Sequence, residues 1–154
     1  MRQQLGKQER EALTATLLER YGLAEAITKK DVVELVEENG EKRIFINGEA
    51  AYYYHDNAPI PLLRYLLKNQ FLPAVVVDMG AVKFVTGGAD VMRPGIKELP
   101  ATAAQGTIVC VVDERHRKPL AVGTMLMDGA TAQAAATGKI VKNLHWVGDK
   151  RWMS

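Results

Sequence analysis

Cysteine is almost absent from this chain of 154 residues: Cys110 stands alone, and histidine is nearly as scarce, with only His55, His116 and His145. A single thiol excludes an intrachain disulfide and a cysteine-rich zinc site. It lies inside Thr107-Ile108-Val109-Cys110-Val111-Val112, an apolar strand-like run with no basic cluster beside it, so a buried, inert thiol is expected. Long hydrophobic runs are missing too; none approaches the ~20 residues of a bilayer-spanning helix. Met1-Arg2-Gln3-Gln4-Leu5-Gly6-Lys7 carries no apolar secretory segment, and a cytoplasmic protein without membrane attachment is expected. Enzyme signatures are absent as well: no G-x-S-x-G, no P-loop and no H-E-x-x-H occurs. The chain is therefore expected to be no enzyme and to carry neither catalytic residues, metal nor cofactor.

What is present is ordinary globular material, 47% hydrophobic and 25% charged, enough to bury a proper core as one domain or two small ones. Net charge is only +2. It is unevenly placed: residues 1–73 hold 10 Lys+Arg against 11 Asp+Glu, whereas residues 74–154 hold 10 against 7. A basic excess of +3 in the second half is the sign a phosphate-binding face requires, although its size alone decides nothing.

Along the chain, residues 7–21 read as a helix with Leu13, Thr16, Leu17 and Tyr21 on one side and Gly22 as C-cap. Residues 32–37 are ambiguous until Asn39-Gly40, which between two apolar-patterned runs is a hairpin signal; Asn47-Gly48 is a second. Strands at 43–46 and 50–54 complete a meander. Pro59-Ile60-Pro61 is then read as the opening of a helix through Leu62, Leu63, Tyr65, Leu66 and Leu67. His55 beside Asp56-Asn57 is read as a solvated loop residue, with no nucleophile near in sequence. The first domain, residues 1–72, is thus expected to be α-β-β-β-α.

Beyond Pro73 the glycine content rises, nine of the 13 glycines lying at or after Gly80. Short strands and many turns imply a small barrel in residues 73–154. Expected strands are 75–77, 91–93, 106–113 and 120–127, the last bent at Gly123, followed by a short helix within 128–137 capped by Gly138 and closing strands in 139–147. The charged segment Asp113-Glu114-Arg115-His116-Arg117-Lys118 is a hairpin loop.

Residues 77–96 are the most distinctive stretch. Asp78 stands where a helix N-cap belongs. Val82 and Val85, with Ala81 or Phe84, give an apolar side to a helix too short to stand alone. Gly87-Gly88 makes a corner, and Pro94-Gly95 a turn. This glycine pair follows a helix and lacks the G-x-G-x-x-G spacing, which argues against dinucleotide binding. The pattern D-x-G-A-x-x-x-V-x-x-G-A-x-V-M-x-P-G-I resembles the opening motif of the PUA domain, an RNA-binding module named after pseudouridine synthases and archaeosine transglycosylases. Gly138-Lys139-Ile140-Val141, Leu144-His145-Trp146-Val147-Gly148-Asp149 and Trp152 are similar to its closing strands. Ile46-Asn47-Gly48-Glu49, Tyr52-Tyr53-Tyr54 and Pro61-Leu62-Leu63-Arg64 resemble the domain that precedes PUA in the malignant T-cell-amplified-sequence proteins and their archaeal relatives.

The resemblance implies an α+β protein: a pre-PUA domain followed by a PUA pseudo-barrel that is mainly β with short helices. It also implies a translation-associated binder of structured RNA, with the tRNA acceptor end or small-subunit rRNA as target. The small ribosomal subunit, and a protein supplying a second RNA-binding domain, are implied partners. The alternative is an accessory RNA-binding subunit of a tRNA or rRNA modification enzyme. Matched onto this sequence, the RNA-contacting surface falls on Lys83, Gly87, Gly88, Ala89, Asp90, Val91 and Arg93, with Lys97 as a further cation. Physically, the corner would turn backbone N–H groups toward a phosphate or base edge, Arg93 would grip phosphate as a fork, and Lys83 and Lys97 would act as point charges. Lys139, Lys142, Lys150 and Arg151 form a second basic group. Trp146 or Trp152 is read as a barrel plug.

Overall fold

A computed structural model describes residues 1–154. The chain divides into two compact units, Met1–Tyr65 and Leu66–Ser154.

In the first unit, β1 (Arg2–Gln4) precedes α1 (Lys7–Tyr21), and β2 (Val33–Glu38), β3 (Glu41–Ile46), β4 (Glu49–His55) and β5 (Ala58–Pro61) follow. All neighbours pair antiparallel, in the order β1-β2-β3-β4-β5. Glu9 accepts the Gly6 N–H at 3.0 Å at the start of α1, and Gly22 ends it with φ 70°, its N–H returning to the Leu18 carbonyl. Both Asn-Gly pairs sit at positive φ, as type I′ hairpins demand. Leu13 and Leu17 of α1 are buried, and so are Val33, Val36, Ile44, Ala51, Tyr52 and Tyr53 of the sheet.

Two strands exceed the expected α-β-β-β-α order. β1 is short and wholly exposed, leaving no alternation to read. At the other edge, Pro59-Ile60-Pro61 belongs to β5, not to a helix. Asp56 and Asn57, at φ 49° and 62°, turn the chain as a third two-residue hairpin. Leu62, in step with Ile60, donates its N–H to the Ala51 carbonyl of β4 at 2.9 Å. The two prolines therefore occupy the positions whose missing N–H would face away from β4, where an edge strand tolerates them. The helix that follows, α2, is only Leu63–Leu66.

The second unit opens with β6 (Ala74–Val77), a 3-10 turn (Met79–Ala81), α3 (Val82–Val85) and β7 (Val91–Met92). A second 3-10 turn (Arg93–Gly95) leads into β8 (Ile96–Glu98), then β9 (Ile108–Asp113), β10 (Pro119–Met125), α4 (Gly129–Ala134), β11 (Lys139–Trp146) and α5 (Lys150–Met153). Strand order is β7-β11-β10-β9-β6-β8, with β6 and β9 parallel and the other pairs antiparallel. The two edge strands, β7 and β8, are joined by the three residues of one turn, so the sheet curls into a nearly closed barrel. Its filling is Val75, Val77, Val85, Val91, Val109, Val111, Met125, Ile140 and Val141, every one at most 2% exposed.

Gly123 breaks the β10–β11 register, as expected; a Cβ there would stand 2.5 Å from the Lys142 carbonyl oxygen. Gly138 does not cap α4. The helix ends earlier, at Ala135, and Gly138 makes a separate turn at φ 98°. Asp128 caps its N-terminus by accepting the Thr131 N–H at 2.8 Å.

Candidate nucleic-acid interface

The segment from Asp78 to Gly95 folds as a strand end, a capped turn, a single helical turn, a corner and a short strand. Asp78 Oδ1 accepts the Ala81 N–H at 2.9 Å, the N-cap the sequence calls for. In α3, Val85 is buried and Val82 packs partly against the core, which leaves Phe84 60% exposed. Of the two candidates for the helix's inner side, Ala81 is the one turned toward the core.

The corner is a Schellman motif. Gly88, at φ 94°, donates its N–H to Val85 O at 3.0 Å, and Ala89 donates to Phe84 O at 3.0 Å. Gly87 donates to Phe84 O as well. All three main-chain donors expected to meet a phosphate or base are thus consumed in closing the helix, where they satisfy the terminal Phe84 and Val85 carbonyls. Beneath the corner lies Trp146, packed against the barrel core; a Cβ on Gly88 would come within 2.7 Å of its ring. Asn143 ties the corner to β11: its Nδ2 donates to Val85 O and to Ala89 O, both at 3.0 Å, and its backbone N–H donates to Asp90 Oδ1 at 2.9 Å. Lys139 Nζ stands 3.5 Å from the other oxygen of Asp90.

Arg93 is also committed elsewhere. Its Nε donates to Ala132 O at 3.0 Å, and its two terminal nitrogens reach Ile96 O at 3.2 Å and Gln133 O at 3.5 Å. A guanidinium spread over three carbonyls at the end of α4 and the start of β8 offers no free fork for phosphate. Sequence reveals an arginine's charge, not which carbonyls the fold leaves open beside it.

Between α3 and β7 runs a groove of about 390 Å³. Ala89, Asp90 and Val91 line it, whereas Gly87 and Gly88 shape the corner above without lining it. Phe84 and Met92, 60% and 46% exposed, face it from its two walls. The sequence reading did not single these two out as contact residues. The available signal was Phe84-Val85 in a one-turn helix, of which only one can turn inward. Lys83 projects from the exposed side of α3, its Nζ 5.2 Å from the centre of the Phe84 ring. Lys97 is exposed on β8 and does not line the groove.

The closing motif is structural. Asp149 caps α5 through the Trp152 N–H at 2.7 Å, accepts the Trp146 N–H at 2.9 Å and lies 2.8 Å from His145 Nδ1. Burial would raise this carboxyl's pKa, but the hydrogen bonds from His145, Trp146 and Trp152 outweigh it and hold the group below the usual carboxylate value. Tyr52 and Tyr53 are buried on opposite faces of β4, so neither offers a ring for base stacking.

A partly closed barrel with a capped one-turn helix, a glycine corner and a short strand on its rim defines the PUA class. The family model described as PUA domain matches residues 73–147. Malignant T-cell-amplified sequence 2 of Mus musculus is 38% identical over 136 residues, covering 84% of this chain and 75% of that protein. Translation machinery-associated protein 20 of Saccharomyces cerevisiae is 30% identical over 153 residues, covering 91% and 84%. A crystal structure of a hypothetical protein from Pyrococcus horikoshii superposes with a TM-score of 0.87 at 31% identity, over 99% of this chain and 98% of that one. The chain belongs to the malignant T-cell-amplified-sequence family of PUA-domain proteins.

Proposed function

We propose that this protein binds structured RNA in the setting of translation, seating unpaired bases of a tRNA acceptor end or of small-subunit rRNA in the α3–β7 groove. The observation that carries the reading is the groove's chemistry. Phe84 and Met92 present apolar surface that nothing in their own unit covers, and Lys83 and Lys139 stand at the rim where the phosphates of an inserted strand would run. The PUA match and the translation-associated name of the yeast relative support the setting. The groove's two carboxylates are both engaged, Asp78 by the Ala81 N–H and Asp90 by Asn143 and Lys139, so the site reads as a binder and not as a catalyst.

The test is filter binding of deacylated tRNA, with and without its terminal CCA, alongside co-sedimentation with small ribosomal subunits. Phe84→Ala should weaken binding by about 1–3 kcal/mol, the usual worth of one stacked base. Lys83→Glu should weaken it further at low salt. Wild-type affinity in both variants, with native circular dichroism, would remove the groove as the site. Equal affinity for trimmed and intact tRNA would shift the target to rRNA, and the sedimentation assay reports on that directly.

A further inference from the structure

The charged loop that joins β9 to β10 has no part in the groove, yet the fold brings it to the groove's mouth and holds it stiff. Asp113, 5% exposed, accepts the backbone N–H groups of His116 at 2.7 Å, Arg115 at 2.9 Å and Lys118 at 3.1 Å. Arg117 closes the turn at φ 53°, its N–H returning to Asp113 O. These donations hold the Asp113 carboxyl below its ordinary range in spite of burial, so the cage persists through the neutral range.

The loop's position follows from the parallel pairing of β6 and β9, in which Val77 stands opposite Asp113. The turn after β6 and the loop after β9 therefore leave the barrel side by side. Glu114 joins them: its Oε2 accepts the Met79 N–H at 2.9 Å, between Asp78 and Gly80, which line the groove. Arg117 reaches the other way, to Glu98 of β8 at 3.3 Å, beside exposed Lys97. The three carboxylates of this region are thus occupied, Asp113 and Glu114 by backbone amides and Glu98 by Arg117. Arg115, His116 and Lys118 remain exposed around them.

We propose that the β9–β10 loop is a phosphate-contacting arm: an RNA strand seated in the groove continues past Met79 and Glu114 onto Arg115 and Lys118, with Lys97 alongside. This inference rests on the groove reading above. It gives Lys97, which the groove leaves aside, a place on the RNA path. A hydrogen-bonded backbone carrying exposed cations supplies charge without a base-edge pattern, which suits phosphates better than bases.

The two parts of the surface can be separated by salt. A phosphate contact releases counterions, so each one lost flattens the slope of log K against log salt by about 0.7 on single strands. Stacking does not. For total deacylated tRNA, Arg115→Gln with Lys118→Gln should lower affinity and reduce the slope by about 1.4. From 50 to 200 mM salt the wild type's advantage over this variant should accordingly shrink about sevenfold. Phe84→Ala should lower affinity at an unchanged slope. Wild-type affinity and slope in the loop variant would overturn the arm while the groove stands, provided Phe84→Ala still loses binding. Full binding by Phe84→Ala would overturn the groove reading and this inference with it. Both loop residues are exposed and leave the Asp113 cage intact, so the folding of the variant can be verified independently by thermal melting.

Discussion

Replacing Gly88 by alanine tests the construction of the corner, and its cost can be worked from two separate contributions. The residue sits at φ 94°, where an L side chain is strained by roughly 1–2 kcal/mol. The added Cβ would also lie 2.7, 2.9 and 3.0 Å from three atoms of the Trp146 ring. That ring is packed against the barrel core and held at its backbone by Asp149, so it cannot withdraw freely, and overpacking of this kind costs about 1–3 kcal/mol. Alanine recovers about 0.4–1 kcal/mol by stiffening the unfolded chain, leaving a net loss of about 1–4.5 kcal/mol. The assay is urea unfolding followed by tryptophan fluorescence, since Trp146 and Trp152 both belong to the second unit. With a slope of about 2 kcal/mol per molar, the midpoint should fall by about 0.5–2 M. In a Trp146→Leu background the overlap disappears but the backbone strain does not, so after the same recovery the substitution should cost only about 0–1.5 kcal/mol there. An equal cost in both backgrounds would refute the ring contact, and a loss below about 0.5 kcal/mol would refute the strained corner altogether.

Arg93→Ala should lower stability by about 1–3 kcal/mol, since three carbonyls lose a charged donor, while leaving the tRNA affinity of the folded protein within about twofold. A tenfold loss of affinity at unchanged melting temperature would instead give Arg93 to the RNA. Asp149, depressed in the folded state, contributes stability that is fully present above its unfolded value of about 3.9 and is lost as pH falls through the lower folded value. The stability difference between wild type and Asp149→Asn should therefore narrow below about pH 4, and a difference constant from pH 7 to pH 2 would contradict it. Cys110, fully buried and pushed up to about 12 by burial, should react with a thiol reagent at pH 8 only as fast as the barrel opens; immediate stoichiometric labelling of the native protein would disprove the burial.

Where a residue type has a single stereochemical use, sequence was enough. Asn39-Gly40 and Asn47-Gly48 can hardly serve except as tight hairpins, and Asp78 ahead of a short apolar repeat is a cap in the structure as in the reading. Proline is ambiguous by the same logic: Pro59 and Pro61 suit a first helical turn and an edge strand equally, and only the partner strand decides. Gly129 left no signal at all. Its Cβ would meet the Pro100 carbonyl at 2.0 Å, a contact between segments nearly thirty residues apart that no local pattern reveals. The candidate site divides along the same line. The helix, corner and short strand were legible from the motif, but neither the exposure of Phe84 nor the fate of each donor was, because both depend on what the fold places nearby.

The commitment of those donors changes what the corner is for. A flexible glycine hinge with free amides would bind phosphate and would move on doing so. Here Gly87, Gly88 and Ala89 spend their amides on α3, Asn143 staples the same turn to β11 through the Val85 and Ala89 carbonyls, and Trp146 fills the space below. Such a corner is rigid before any ligand arrives, and its rigidity fixes the distance between Phe84 on one wall and Met92 on the other. On the proposed reading, fixed walls would lower the ordering cost of admitting a flat base, which is the way preorganisation raises affinity. Charge then acts at the edge: Lys83 is exposed, Lys139 is already shared with Asp90, and the cations of the β9–β10 loop lie beyond Met79. Affinity that survives high salt should therefore come from the groove, and affinity that salt removes should come chiefly from outside it.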